Sequence, residues 1–216
     1  MSKLDGQNRS QIVESTLDLL DTVASDDTLS QRGIAERIGM ALGLTNAVLK
    51  RCVKKGLLKI KQAPARRYAY YLTPQGFSEK SRLTAEFLST SLTFYRRARQ
   101  EYSDIIRYCE TREWNRVVFI GASDLAEIAS LVAIESNVTV VGVVDPKKNA
   151  PFYNGLPVFR SLADIPAADQ PAAAVLSDID DPQGSFEELM TVLPAARVLT
   201  PRLLRISRPK NQEEAP

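Results

Sequence analysis

The chain has 216 residues, of which 44% are hydrophobic and 25% are charged, and its formal net charge is +2. This length suits one large domain or two small ones, with enough apolar material for a hydrophobic core. Histidine is absent, which excludes His-based acid–base catalysis, Ser-His-Asp triads and His-ligated metals. Two cysteines, Cys52 and Cys109, are too few for a disulfide framework or a four-thiolate zinc site.

The N-terminus and the apolar runs indicate the compartment. Residues 1–10 lack the apolar stretch of a secretory signal. No apolar run approaches the roughly 18 residues that a membrane-spanning helix needs. We therefore expect a cytoplasmic protein with no membrane partner.

The small net charge conceals two halves of opposite sign. Residues 1–113 carry 19 basic and 13 acidic side chains, whereas residues 114–216 carry 9 basic and 13 acidic ones. The segment 32–67 alone holds ten basic residues and a single acidic one, Glu36. A basic segment of this kind is either a solvated charged surface or a site for a polyanion, so the surrounding pattern has to decide.

The first half predicts three helices. Apolar residues recur at helical spacing over 10–24, and Ser30 is a suitable N-cap for a short second helix over 31–38. Thr45 is predicted to cap a third helix over 46–55, in which the basic residues lie mostly opposite the apolar stripe. Two short helices joined by a tight turn, the second one basic, are typical of a helix-turn-helix.

The residues after the third helix predict a β-hairpin. Residues 57–62 and 68–73 have strand composition, and the loop between them is basic. A hairpin directly after the recognition helix makes a winged helix. Its tip can place Arg66 or Arg67 against a phosphate or in a minor groove.

Two segments of this half, SQRGIAERIGMALGLTNAVLKRCVKKGLLKI and YYLTPQG, resemble winged-helix transcription regulators of the MarR type. The resemblance covers residues 10–80. It implies double-stranded DNA as the partner and dimerisation through the helix that follows the wing. A winged helix that contacts another protein is the alternative.

The DNA-contacting candidates fall into two groups. Polar residues near the start of the recognition helix are expected to read bases, and exposed cations are expected to bind phosphates. The base-reading candidates are Thr45, Asn46 and Lys50. The phosphate-binding candidates are Arg32, Arg37, Arg51, Lys54, Arg66 and Arg67.

Residues 77–109 contain no proline or glycine and predict a long helix, although a break near 90–93 is possible in this sequence. Phe87, Phe94 and Tyr102 belong to an apolar stripe at helical spacing. Such a helix is too apolar to stand alone in water, so we expect it to pack on the second half or to pair with its copy in a homodimer. A two-fold dimer would place two recognition helices about one DNA turn apart.

The second half alternates strands and helices. Strands are predicted at 116–120, 138–144, 172–176 and 197–199, and helices at 124–135, 161–165 and 185–193. This pattern predicts an α/β Rossmann-like domain with a mainly parallel sheet, which binds ligands beyond the carboxyl ends of its strands. The predicted division is a winged-helix domain (1–76), a linker and dimerisation helix (77–113), the Rossmann-like domain (114–207) and a disordered tail (208–216).

The loop after the first of these strands contains a degraded glycine pattern. It keeps the first glycine of G-x-G-x-x-G/A but has Ser123 in place of the second. Asp145 closes the next strand, where an acid commonly accepts ribose hydroxyls, whereas Asp124 at the helix start would repel a phosphate. A nucleotide ligand and an empty scaffold therefore both stay open. The ligand-binding candidates are Gly121, Ala122, Ser123, Asp124, Asp145, Lys147 and Ser177.

The stretch VVFIGASDLAEIASLVAIESNVTVVGVVDPKKNAPFYNGLPVFRSLADIP resembles the N-terminal Rossmann-like domain of PglD-type sugar-nucleotide acetyltransferases. That resemblance implies a UDP-sugar ligand, while the acetyl-transferring β-helix and its catalytic histidine have no counterpart in the sequence. The order of winged helix and Rossmann-like domain is also similar to that of the redox-sensing repressor Rex, which binds NAD(H) and keeps a full glycine pattern.

We therefore expect a DNA-binding transcription regulator, by resemblance a repressor and one that controls polysaccharide genes. Its second domain is expected to sense a nucleotide sugar or related nucleotide. It is not expected to be an enzyme, and no catalytic residue, metal site or required cofactor is predicted. The alternatives are an NAD(H)-responsive redox regulator, a small sugar-nucleotide enzyme fused to a DNA-binding module, and a second domain that only supports dimerisation.

Overall fold

Three helices and a two-stranded antiparallel sheet begin the chain. The structure is a computed structural model that describes residues 2–63 and 67–208, with the side chains of 12–61 and 68–208. The chain divides into two packing units, Met1–Leu92 and Thr93–Pro216. The elements of the first unit are α1 (Ser2–Ser25), α2 (Gln31–Arg37), α3 (Leu42–Lys54), β1 (Leu58–Ala63), β2 (Arg67–Leu72) and the beginning of α4 (Pro74–Thr111).

Apolar side chains from these elements meet in one core. Leu19 and Leu20 of α1, Ile34 of α2, Leu49 of α3 and Leu83 of α4 are all buried there. Burial contributes about 1.5–3 kcal/mol for each side chain of this size. Helices as short as α2 are unstable alone, so this core, rather than helix propensity, holds the helix-turn-helix together.

The two helices of the helix-turn-helix start differently. The predicted cap of α2 is confirmed, because Ser30 Oγ accepts a hydrogen bond from Gly33 N at 3.2 Å. The predicted cap of α3 is wrong, because that helix begins at Leu42 rather than at residue 46. Thr45 lies inside the first turn, is fully buried, and donates from Oγ1 to Ala41 O at 3.2 Å. Burial of Thr45 against the core, not a capping side chain, accompanies this earlier start.

The wing leads directly into α4. Strands β1 and β2 pair antiparallel from Leu58↔Leu72 to Ala63↔Arg67, which confirms the predicted hairpin. Thr73 Oγ1 then donates to Gly56 O at 2.7 Å and accepts from Gly76 N at 2.9 Å, so it ties the base of the wing to the start of the helix. Helix α4 is uninterrupted through residues 90–93, where the sequence allows a break.

A six-stranded sheet forms the centre of the second unit. Its strands are β3 (Arg116–Ile120), β4 (Thr139–Val144), β5 (Phe152–Tyr153), β6 (Leu156–Phe159), β7 (Ala173–Leu176) and β8 (Val198–Leu199). They lie in the order β5-β6-β4-β3-β7-β8, and every pair is parallel except β5 with β6. The four predicted strands are confirmed. The hairpin β5–β6 is additional, and its strands are too short to show an alternating pattern.

Helices cover both faces of this sheet. Helix α5 (Asp124–Ile134) and the last part of α4 pack with Phe119 and Val143 on one face. Helix α6 (Pro182–Val192) packs with Val118 and Leu176 on the other. The predicted helix at 161–165 is a single 3-10 turn, Leu162–Asp164. Because both faces are buried, the parallel strands are continuous apolar runs, as the sequence indicates.

The strand order places the candidate ligand site. In the strand order, β4 and β6 lie on one side of β3, and the later strands β7 and β8 lie on the other side of it. Sheets that reverse in this way leave a crevice beyond the carboxyl ends of the strands at the reversal. In this unit that point lies at the ends of β3 and β7.

The predicted domain boundaries stay predictions. The structure describes the chain near two of them, within α4 and at the start of the predicted tail. The division between the packing units falls within α4, after Leu92. Arg208, the first residue of the predicted tail, donates from Nη2 to Thr200 Oγ1 at 2.9 Å, whereas 209–216 lie outside the described residues. No helix in the described part of the chain is both long enough and apolar enough to cross a membrane.

Tyr102 attaches α4 to the sheet of the second unit. Its ring is fully buried, and its hydroxyl donates to Leu176 O, at the end of β7, at 2.9 Å. Burial, with a smaller effect of the neighbouring Glu101 charge, raises the pKa of Tyr102 far above its ordinary value. The hydroxyl therefore stays protonated and remains a donor at any physiological pH.

Replacing Tyr102 by Phe should lower the free energy of unfolding by about 1–3 kcal/mol, because Leu176 O loses its donor while it stays buried. Tyr108→Phe is a matched control, since Tyr108 is partly exposed and its hydroxyl has no hydrogen-bond partner among the described residues. Urea denaturation followed by circular dichroism compares the two variants. Equal losses would show that the Tyr102 hydrogen bond contributes nothing specific.

Candidate DNA-binding surface and ligand cavity

The exposed side of α3 is basic. Lys50, Arg51 and Lys54 are exposed, and none of them has an ion-pair partner among the described side chains of 12–61 and 68–208. Arg32 of α2 is likewise exposed and without an ion pair in that part of the chain. Cations in this state can approach a phosphate without first breaking an ion pair. Four of the predicted DNA-contacting residues therefore have suitable exposure.

The first turn of α3 exposes other side chains than the sequence predicts. Thr45 is fully buried and cannot reach a base edge, so its predicted base-reading role is wrong. The earlier start of the helix turns Thr45 toward the core and exposes Leu42, Leu44 and Ala47 instead. Sequence reasoning missed these residues because they are apolar.

Asn46 lies in a groove between α3 and the wing. It is half-buried, and its Oδ1 is shielded from solvent with no hydrogen-bond partner in the described structure. The groove has a volume of about 430 Å³. Its lining residues are Gln31, Asn46, Leu49, Lys50, Val53, Lys54, Ile60, Tyr68 and Tyr70. The two tyrosines belong to β2 and line this groove beside Ile60 of β1, with which β2 pairs.

The tip of the wing is only partly described. Arg66 lies outside the described residues, and Arg67 begins β2 with its side chain outside the described part. The roles predicted for both residues stay predictions. The described part of β1 exposes Lys59 and Lys61, so the wing carries further positive charge beside α3.

Asp145 directly follows β4, and its carboxylate binds the loop that follows β3. Its Oδ2 accepts from Ala122 N at 3.0 Å, and its Oδ1 accepts from Lys147 N at 2.9 Å. In nucleotide-binding sheets, a backbone N–H at this position faces a phosphate of the ligand. Here the anion at Ala122 N is the chain's own carboxylate.

The hydroxyl groups of Ser123 and Ser177 both form hydrogen bonds within the protein. Ser123 Oγ accepts from Leu125 N at 3.1 Å, as the cap of α5, and donates to Ser177 O at 2.5 Å. Ser177 is fully buried and directs its hydroxyl to Gly121 O at 2.7 Å. Neither hydroxyl has a proton left for a ligand, so these two residues serve the fold rather than the predicted site.

A cavity of about 580 Å³ opens at this edge of the sheet and is lined partly by α6. Three of the predicted ligand-binding residues line it, namely Gly121, Asp145 and Lys147. Four of them do not, namely Ala122, Ser123, Asp124 and Ser177. The cavity therefore lies away from the helix start at which the sequence places a phosphate.

Acidic residues that sequence reasoning missed also line the cavity. Asp178, Asp180 and Asp181 come from the loop between β7 and α6, and Glu188 comes from α6 itself. The signal for them was available, because the run SDIDD directly follows a predicted strand at the carboxyl edge. Parallel strands bring such loops to one edge.

Asp178 is held in its charged form. Burial tends to raise its pKa, but the hydrogen bond from Ser185 Oγ at 2.7 Å and bonds from backbone amides outweigh that effect. With the Lys147 charge nearby as a further cause, the pKa of Asp178 lies below its ordinary value. The carboxylate is therefore ionised at neutral pH.

The loop of Asp178 crosses directly over Gly121. Gly121 has a φ of +95°, and a Cβ on it would lie 2.5 Å from Asp178 Cα. Only glycine fits a backbone of this conformation at this distance. The glycine that opens the predicted nucleotide-binding pattern is thus required by the chain's own packing.

Gly121→Ala should lower the free energy of unfolding by about 2–4 kcal/mol, because backbone strain and a steric clash add together. Gly155→Ala is the control, since Gly155 has a φ of +80° but no atom within 4 Å of an added Cβ. It should cost only about 1 kcal/mol. Urea denaturation of both variants measures the difference, and equal costs would argue against the close approach.

Comparisons with known proteins agree with the first unit. Residues 14–59 match the family model described as winged helix-turn-helix DNA-binding. The PcaV transcriptional regulator from Streptomyces coelicolor is 26% identical over 37% of this chain and 60% of its own, with a TM-score of 0.35. MepR, a transcription regulator of the Staphylococcus aureus multidrug efflux pump MepA, is 17% identical over 44% of this chain and 81% of its own, with a TM-score of 0.33.

Another solved structure, a methyltransferase, is similar to this chain over both units. Human N-acetylserotonin methyltransferase in complex with SAM is 15% identical over 87% of this chain and 72% of its own, with a TM-score of 0.33. No curated protein matches the chain significantly. The PglD-type and Rex resemblances stay predictions. The match over 14–59 and the observed helices and wing give the first unit the fold of a winged helix-turn-helix.

Proposed function

We propose that this chain is a DNA-binding transcription regulator whose winged helix holds duplex DNA and whose α/β domain binds a small molecule. The observation that carries the proposal is the exposed basic side of α3, with Lys50, Arg51 and Lys54 free of carboxylate partners in the described structure. Repression is the expected direction of control, by resemblance to MarR-type regulators.

In the proposed complex, α3 lies in the major groove and its exposed cations contact phosphates. Leu44 and Ala47 are exposed near the start of the helix, where an apolar side chain can contact the methyl group of thymine. Lys50, one turn further, can bind the acceptor edge of guanine. This assignment replaces Thr45, which is buried.

The second copy of the chain is the proposed partner of α4. The part of α4 from 98 to 109 packs within its own unit, but Phe87, Leu88, Leu92, Phe94 and Tyr95 are exposed. Apolar side chains concentrated on one exposed segment favour association. A two-fold dimer through α4 would also supply two recognition helices for two half-sites.

The cavity at the carboxyl edge is the proposed sensor. Its volume of about 580 Å³ lies within the range of roughly 300–1,000 Å³ that is typical of small-molecule sites. A nucleotide sugar, or NAD(H) in the redox alternative, is the ligand that the resemblances suggest. We propose binding without catalysis, and with no required cofactor, because the sequence offers neither histidine nor an evident nucleophile paired with a base.

A physical route connects this cavity with α4. The loop after β7 lines the cavity, and the last residue of β7, Leu176, accepts the hydrogen bond from Tyr102 of α4. A ligand that prefers one arrangement of this loop would shift the population of α4 states and so change DNA affinity. The first unit packs on the same helix through Leu83.

Lys54→Ala should weaken binding to all duplexes by a similar factor and reduce the slope of log K against log salt concentration by about one. Arg202→Ala removes an exposed cation of the second unit and is the control, which should leave the slope unchanged. Fluorescence anisotropy with fragments from the protein's own promoter region, at several salt concentrations, measures both. The absence of salt-dependent DNA binding by the intact chain would refute the proposal.

Phe94→Arg should convert the proposed dimer to a monomer, because an unpaired charge would be buried in the interface. Phe94 and Phe152 are 51% and 63% exposed in the single chain, so neither substitution should unfold it. Phe152→Arg lies on β5 and should leave the dimer intact. Light scattering at micromolar concentration gives the masses, and a monomeric native chain would rule out this interface.

A further inference from the structure

The charges that line the cavity at the carboxyl edge define a class of ligand, and this inference rests on the sensor role proposed above. The lining carries five carboxylates and two cations. The carboxylates belong to Asp145, Asp178, Asp180, Asp181 and Glu188. The cations belong to Lys147 and Arg160.

Two backbone N–H groups that could bind a phosphate at this edge are already used by the chain. Ala122 N, before α5, donates to Asp145 Oδ2 at 3.0 Å. Gly184 N, in the first turn of α6, donates to Asp181 Oδ1 at 3.0 Å. A phosphate at either place would have to displace a carboxylate and then lie beside it, which like-charge repulsion opposes.

Two of the five carboxylates are available to a ligand. No hydrogen bond or ion pair engages the carboxylate of Asp180 or of Glu188 within the residues that the structure describes. The excess of negative charge in a partly enclosed space attracts a cation and repels an anion. The polar part of a well-bound ligand is therefore positively charged.

The cavity also has an apolar wall. Ile120 and Val144 contribute from the ends of two strands, and Leu162, Leu189 and Val192 contribute from the elements beside them. Such a surface takes up a hydrocarbon or aromatic group, because removing apolar area from water is favourable. A simple inorganic ion would leave this wall unused.

We infer that the cavity binds an organic cation with an apolar body. Its ammonium or guanidinium group is held by Asp180 and Glu188, and its body lies against Ile120, Val144 and Leu189. This ligand class differs from the nucleotides suggested by resemblance, because their pyrophosphate would face the excess of carboxylates.

A matched pair of probes tests the charge preference. Tyramine and 4-hydroxyphenylacetate share a phenol ring and differ in the sign of their charge, and agmatine offers a guanidinium group. Calorimetric titration of the full chain should show saturable binding of tyramine or agmatine, with 4-hydroxyphenylacetate, UDP-glucose and NADH at least about tenfold weaker.

Variants locate the binding to this cavity. The double variant Asp180→Asn, Glu188→Gln should bind the cation about tenfold more weakly, because it removes two charges that pair with the ligand. Asp169→Asn neutralises an acid that does not line the cavity, and it should leave the affinity unchanged. Lys147→Ala should strengthen cation binding, since it removes a like charge from the lining.

Three results would overturn the inference: no binding of either cation, binding of UDP-glucose or NADH at least as tight as that of the cations, or unchanged affinity in the double variant. The anisotropy assay with DNA on the same preparation separates this inference from the proposed function. DNA binding without cation binding overturns the ligand class alone. Cation binding without DNA binding overturns the regulator alone.

Discussion

Helix α4 contributes buried side chains to both hydrophobic cores of the chain. Leu83 is buried in the first core, and Ala98 and Tyr102 are buried in the second. The Tyr102 hydroxyl also donates to the end of β7, beside the cavity. A movement of that strand end must either carry α4 with it or break a buried hydrogen bond, at a cost of about 1–3 kcal/mol. Coupling energies of this size suffice for regulation.

The carboxyl edge of the sheet is closed by the chain's own polar groups. Gly121 lets the loop of Asp178 pass at van der Waals distance, and Asp145 provides the anion at Ala122 N. A sheet with this strand order commonly keeps that position for a ligand phosphate. Here the phosphate position is filled, and the space that remains lies beside α6 and is acidic. The carboxyl edge of this sheet, at which nucleotide-binding sheets hold a phosphate, thus offers an acidic cavity.

Local patterns predicted the buried strands and the Ser30 cap, because both depend on residues close together in sequence. The start of α3 could not be predicted from capping, because residue 41 is an alanine and burial of Thr45 accompanies an earlier start. The roles of Ser123 and Ser177 depend on a hydrogen bond between residues 54 positions apart. Only the strand order brings them together, which is why the sequence indicates the edge of the sheet but not which residues line the cavity there.

Selection of bound duplexes from a random library shows whether two α3 helices read DNA together. We expect enrichment of an inverted repeat whose half-sites are about 10 base pairs apart, centre to centre, as a two-fold winged-helix dimer requires. Enrichment of a single half-site would contradict the dimer. The absence of any enriched sequence would contradict sequence-specific regulation by this chain.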